Sequence, residues 1–105
     1  MDVLTRIKRL IVQNRYRFTD KAGLELDMDG LREQDAIESI LNAQIIKKTI
    51  RSTSPRRKHS AEKLYIIESY NYSGTIIYTK GKIGQEEGEP FFYIFISAKR
   101  SIRAG

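Results

Sequence analysis

The stretch FFYIFISAK, Phe91 to Lys99, decides the fold of this chain. Its aromatic and β-branched side chains suit a pleated, packed surface, so it reads as a β-strand. Alternate residues of a strand face opposite ways: Phe92, Ile94, Ile96 and Ala98 form one set, and Phe91, Tyr93, Phe95, Ser97 and Lys99 the other. The first set, wholly apolar, is expected on a buried face under helices, and the second on the opposite face.

Upstream, Ile45 to Arg51, Lys63 to Asn71 and Gly74 to Ile83 carry the same strand signature, which makes four strands in all. Asn71 to Gly74 reads as a tight hairpin turn and Gly84 to Pro90 as an acidic one, so the last three strands form an antiparallel meander. Tyr78, Lys80 and Lys82 then share a face with Lys99, and that face is both aromatic and basic.

Before Asn42 the apolar period changes from two to between three and four. Val3, Leu4, Ile7, Leu10 and Ile11 predict a helix capped by Asp2 and ending near Asn14. Thr19 caps a short second helix through Phe18, Ala22 and Leu26, with Gly23 weakening its middle. Ala36, Ile37, Ile40 and Leu41 mark a third, from Leu31 to Ala43. The expectation is α+β: two or three N-terminal helices packed on one face of a mainly antiparallel four-stranded C-terminal sheet. A length of 105 residues suits one domain, helical over 1–43 and sheet over 44–105, with a basic loop at 51–62.

A net charge of +6 points to a polyanionic partner, and the charge concentrates in KKTIRSTSPRRKHSAEK, Lys47 to Lys63. Arginines and lysines interleaved with serine, threonine and proline suit a loop that grips a phosphate backbone; a merely solvated charge run has the same composition. Beside it, tyrosines and lysines on one sheet face can stack bases and hold phosphates. The RNA-binding candidates are Arg51, Arg56, Arg57, Lys58, His59, Lys63, Tyr65, Lys82 and Arg100. His59 is the only histidine, but Lys58 beside it disfavours its charged form and a loop positions a base poorly, so it is grouped with binding rather than catalysis.

Other chemistries find little support. No cysteine is present, which excludes disulfides and thiolate chemistry. Glu25 to Gly30, ELDMDG, imitates the start of a calcium loop, yet Ala36 stands where a bidentate carboxylate is needed. No metal and no cofactor are expected. Met1 to Val12 is broken by Asp2, Arg6, Lys8 and Arg9, so it reads as neither signal peptide nor membrane span, and the expected compartment is the cytoplasm.

Three stretches resemble the MqsR family of bacterial toxins, mRNA interferases related to the wider RelE-like ribonuclease group. They are IKRLIVQNRYRFTDKAGLELDMDGL at Ile7 to Leu31, the Tyr78-Thr79-Lys80 strand, and Ser97-Ala98-Lys99. The resemblance implies a RelE-like ribonuclease toxin fold and a cytoplasmic, metal-independent endoribonuclease that cleaves messenger RNA and is neutralised by a cognate antitoxin. It carries the family's strand tyrosine to Tyr78, its terminal lysine to Lys99 and, more loosely, the lysine before the connecting loop to Lys48. The family glutamine has no equivalent here. Tyr65 and Glu68 lie in the corresponding strand, which leaves the acid and base roles open. The chain also departs from the pattern in its longer basic loop and in continuing past Lys99 with Arg100, Ser101, Ile102 and Arg103.

The catalytic candidates are therefore Lys48, Glu68, Tyr78, Lys80 and Lys99. RNA carries its own nucleophile, the ribose 2′-hydroxyl, so such a site need only orient it, move its proton and stabilise phosphorane charge. Lys80 and Lys99 suit the charge, and Tyr78 suits orientation or proton exchange. Two other readings use the same residues without cleavage: a module that binds RNA or DNA, and a protein-interaction domain with Phe91, Tyr93 and Phe95 as anchors for an acidic partner.

Overall fold

The first helix, α1 (Val3–Val12), starts at Asp2, whose carboxylate accepts the Thr5 amide at 2.8 Å. That bond holds the Asp2 carboxyl below its ordinary value. Ile7, Leu10 and Ile11 form the buried stripe of α1, while Arg6 and Arg9 stay in water. The computed structural model describes residues 1–51 and 62–102.

After α1 the chain runs straight into a strand, β1 (Tyr16–Phe18), and then α2 (Asp20–Met28). Thr19 serves both elements: its hydroxyl accepts the Ala22 amide at 3.1 Å and donates to the Ile96 carbonyl at 3.0 Å. Gly30 ends α2 with φ of 70°, a conformation that other residues adopt only at a cost. In α3 (Glu33–Asn42), Asp35 accepts the Arg32 amide at 2.8 Å. At the other end of α3 the Lys8 ammonium donates to the Leu41 and Ala43 carbonyls at 3.1 and 2.5 Å, a cation where the helix dipole favours one.

The remaining strands are β2 (Lys48–Arg51), β3 (Lys63–Tyr70), β4 (Ile76–Gly84) and β5 (Phe92–Arg100). Their order is β1-β5-β4-β3-β2, antiparallel throughout except that β1 lies parallel to β5. The architecture is α+β: three N-terminal helices on a five-stranded, mostly antiparallel mixed sheet. One core joins Ile7, Leu26, Ile37 and Ile40 of the helices to Ile67, Ile77, Tyr93 and Phe95 of the sheet.

Two expectations need correcting. The sheet has five strands, not four, because Tyr16 to Phe18 pairs with Tyr93 to Phe95. The phase of β5 is also inverted over most of its length. Tyr93 and Phe95 lie fully buried under the helices, with Phe18 stacked on Phe95 at 4.2 Å. Phe92 is buried as expected, but outside the helix-side cluster, with the Arg17 guanidinium 4.2 Å from its ring centroid. Lys80 pairs with Ser97 whereas Gly81 pairs with Phe95, so Ile96 is the extra residue of a β-bulge. The bulge shifts the alternation, which is why Ala98 still reaches the core and Lys99 still faces away from it.

Beyond β1 the outer edge of β5 is satisfied by α2 rather than by a strand. Glu25 accepts the Ser97 hydroxyl at 2.7 Å and the Ala98 amide at 3.3 Å, and Asp29 accepts the Arg100 amide at 2.8 Å. Two carboxylates of the calcium-like segment are thus committed to closing a sheet edge. Among the described residues no helix is long and apolar enough to cross a membrane.

Candidate functional site

The face of the sheet turned away from the helices is built by parity. Ile67, Ile77, Thr79 and Ala98 are fully buried, so their neighbours Ile66, Glu68, Tyr78, Lys80 and Lys99 point the other way. Register then aligns Glu68, Tyr78 and Lys99 in one row across β3, β4 and β5. Lys48, Ile66 and Lys80 make the next row, and Ile50, Leu64, Lys82 and Ile94 the one after.

The first row carries the polar chemistry. Glu68, with its side chain 8 % exposed, is ion-paired to the Lys47 ammonium through Oε1 and accepts the Ser101 hydroxyl through Oε2 at 2.5 Å. The Lys99 ammonium stands 5.5 Å from the centroid of the Tyr78 ring, a cation–π contact. Lys47, Glu68, Tyr78, Lys99, Arg100, Ser101 and Ile102 line one cleft of about 410 Å³. A carboxylate, a phenol and two ammonium groups are therefore gathered at one opening.

The other candidates fall around this cleft or away from it. Lys80 is half-buried on the same face, one row along from Tyr78 and Lys99. Lys82 is two rows along and donates to Glu62 at 2.9 Å. Lys48 is exposed on β2 opposite Ile66, and it is the preceding residue, Lys47, that reaches Glu68. Arg51 and Lys63 are exposed partners at the far end of the β2–β3 pair, away from the Glu68 row. Arg100 is exposed, and its guanidinium donates to the Asp29 carbonyl at 3.4 Å. Arg56, Arg57, Lys58 and His59 lie outside the described residues.

Tyr65, expected among the RNA-binding residues, does not reach that face. It is only 8 % exposed and belongs to the helix-side core, because it pairs with Gly81 on the inner face of β4. Tyr93 and Phe95, expected as anchors for a protein partner, are fully buried and present no surface to one. Lys47 and Ser101 were not singled out by the sequence. Lys47 differs in nothing local from Lys48, and Ser101 gains its place only because β5 runs on until the Ser101 amide meets the Ile76 carbonyl at 2.9 Å.

A larger cleft, about 560 Å³, lies elsewhere, between the start of α1 and residues 43–46. Its Lys8 ammonium is already bonded to the end of α3, and no comparable set of proton-transfer groups lines it. Among the described residues no three His, Cys, Asp or Glu side chains gather closely enough to hold a metal ion. No protein-family model, curated protein or solved structure matches this chain.

Proposed function

We propose that this chain is a metal-independent endoribonuclease that cuts messenger RNA, the toxin of a bacterial toxin–antitoxin pair acting in the cytoplasm. The observation that carries the reading is the row Glu68, Tyr78 and Lys99, closed by Lys47 around one cleft. Its residue types match what RNA cleavage by the neighbouring 2′-hydroxyl requires. The net charge of +6 attracts the substrate and accounts equally for an acidic antitoxin as the neutralising partner.

In the proposed step the Glu68 carboxylate takes the proton of the ribose 2′-hydroxyl, and the 2′-oxygen attacks the adjacent phosphorus. The bond from phosphorus to the 5′-oxygen breaks, and that oxygen leaves with a proton for which Tyr78 is the nearest phenolic donor on the row. The products are a 2′,3′-cyclic phosphate and a 5′-hydroxyl. Lys99 and Lys47 stabilise the charge that develops on the phosphorane oxygens, while Lys80 and Lys82 extend the positive face along the strand. Ser101 is a positioning residue that holds Glu68 through its second oxygen.

The test is cleavage of a defined RNA by purified protein with chelator present. Loss of one charge-stabilising donor costs roughly a hundredfold to a thousandfold in rate, so Lys99→Ala is expected to fall by that amount, and Glu68→Gln, which removes the base, by roughly a hundredfold to ten-thousandfold. Undiminished cleavage by Lys99→Ala, Glu68→Gln and Tyr78→Phe would reject the site. RNA that is bound and left intact by the unmodified protein would leave a binding module instead. For the partner, growth arrest on expression, relieved by a small adjacent reading frame, is the expected result.

A further inference from the structure

Tyr70 stands two residues from Glu68 on β3 and shares its face of the sheet, about 6.8 Å further along the strand. It is 54 % exposed, unlike Tyr65 and Tyr93, which the core absorbs. Its mount is rigid. The Tyr70 carbonyl accepts the Asn42 side-chain amide at 2.8 Å, and the next two residues are tied to α3 by Asn71 to Asp35 at 3.0 Å and Tyr72 to Glu38 at 2.8 Å. An aromatic ring on fixed backbone, beside a cleft lined by two lysines, joins a π surface to a phosphate site within about one strand repeat.

Resting on the ribonuclease reading, we infer that Tyr70 is a stacking platform for the base of a nucleotide next to the cleaved phosphate. The substrate is then RNA unpaired at that nucleotide, because a ring can stack only on a base that has left its duplex. Ile76 and Ser101, aligned with Tyr70 across β4 and the end of β5, continue the floor between the ring and the cleft. The phosphate on Lys47 and Lys99 and the base on Tyr70 would fix the register of the strand, so Tyr70 selects where the row cuts.

The chain contains no tryptophan, so Tyr70→Trp introduces a single fluorescent reporter at the platform. The probe is a short RNA made uncleavable by 2′-O-methylation, with its binding followed independently by anisotropy of an end label. Saturable quenching of the tryptophan is expected, lost when an abasic residue occupies one position beside the scissile phosphate. Tyr72→Trp, in the neighbouring hairpin turn, is the control and is expected to stay bright. With cleavable RNA, Tyr70→Ala is expected to raise KM roughly tenfold or more with a much smaller effect on kcat, and Tyr70→Phe to restore it. Binding seen by anisotropy with no change in the emission of the Tyr70→Trp protein, or an abasic probe that quenches equally, would overturn the platform and leave the nuclease reading standing. No RNA binding at all would overturn both.

Discussion

Replacing Tyr93 by phenylalanine is expected to stabilise the protein, although Tyr93 is among the most buried residues of the core. Its hydroxyl is buried and has no hydrogen-bond partner among the described residues. A buried polar group without a partner costs about 1–3 kcal/mol, whereas the dispersion contacts of one oxygen are worth a few tenths of a kcal/mol. The ring itself, edge-on to Phe95 at 5.2 Å, is kept by Phe. The net expectation is a gain of about 1 kcal/mol, or a melting temperature raised by about 4–8 °C for a domain near this size. Urea unfolding checks it, with a higher midpoint at unchanged slope.

The same site makes the opposite prediction for its neighbour. A Cβ on Gly81 would meet the Tyr93 Oη at 2.4 Å and the Ile94 carbonyl oxygen at 2.7 Å, so Gly81→Ala is expected to lose about 1–3 kcal/mol or more by overpacking. Tyr93→Phe recovers little of that loss, because the ring carbon Cζ at 2.5 Å and the Ile94 carbonyl both remain. Burial, followed by the proximity of Tyr65, pushes the Tyr93 phenol well above the ordinary 10.0. The folded state thus favours the neutral phenol. Its stability is intact below the ordinary tyrosine pKa and falls as pH rises from about 10 towards the raised value, a slope that Tyr93→Phe removes. A Tyr93→Phe protein destabilised by about 1 kcal/mol or more, with alkaline sensitivity unchanged, would refute the reasoning.

Glu25→Ala removes the acceptor of both the Ser97 hydroxyl and the Ala98 amide, so a loss of about 1–3 kcal/mol is expected, with faster hydrogen exchange at Ala98. Asp2 caps α1 with a carboxyl held below its ordinary 3.8; its contribution is complete above that value and lost as pH falls through the lowered one. Helical signal from α1 should therefore fray in acid, and Asp2→Asn should remove that acid dependence, measured by amide exchange at Thr5.

The helices were legible because their signals are local. Asp2 and Thr19 are caps whose partners lie three residues away, and the stripe of Ile7, Leu10 and Ile11 needs no tertiary knowledge. β1 leaves no signature in the sequence because three residues are too few to show a period, and Tyr16 to Phe18 becomes a strand only where the edge of β5 receives it. In β5 the run from Phe91 to Ile96 is apolar on both faces, so hydropathy could not choose its phase, and the bulge at Ile96 broke the alternation that should have settled it. The phase of β4 is legible because lysines at 80 and 82 alternate with residues that the core accepts. Glu68, Tyr78 and Lys99 were candidates from the sequence. Their junction with Lys47 and Ser101 depends on contacts across 21 and 33 residues, which no local pattern records.

The most direct measurement is the cleavage of one RNA oligonucleotide in chelator, with the product ends identified by mass, alongside the same oligonucleotide carrying a single 2′-deoxy residue at the mapped cut. A 2′,3′-cyclic phosphate and a 5′-hydroxyl are expected, with cutting abolished at the deoxy position while binding persists. Cleavage continuing at the deoxy position, or a 3′-hydroxyl paired with a 5′-phosphate, would contradict 2′-hydroxyl attack at the Glu68, Tyr78 and Lys99 row.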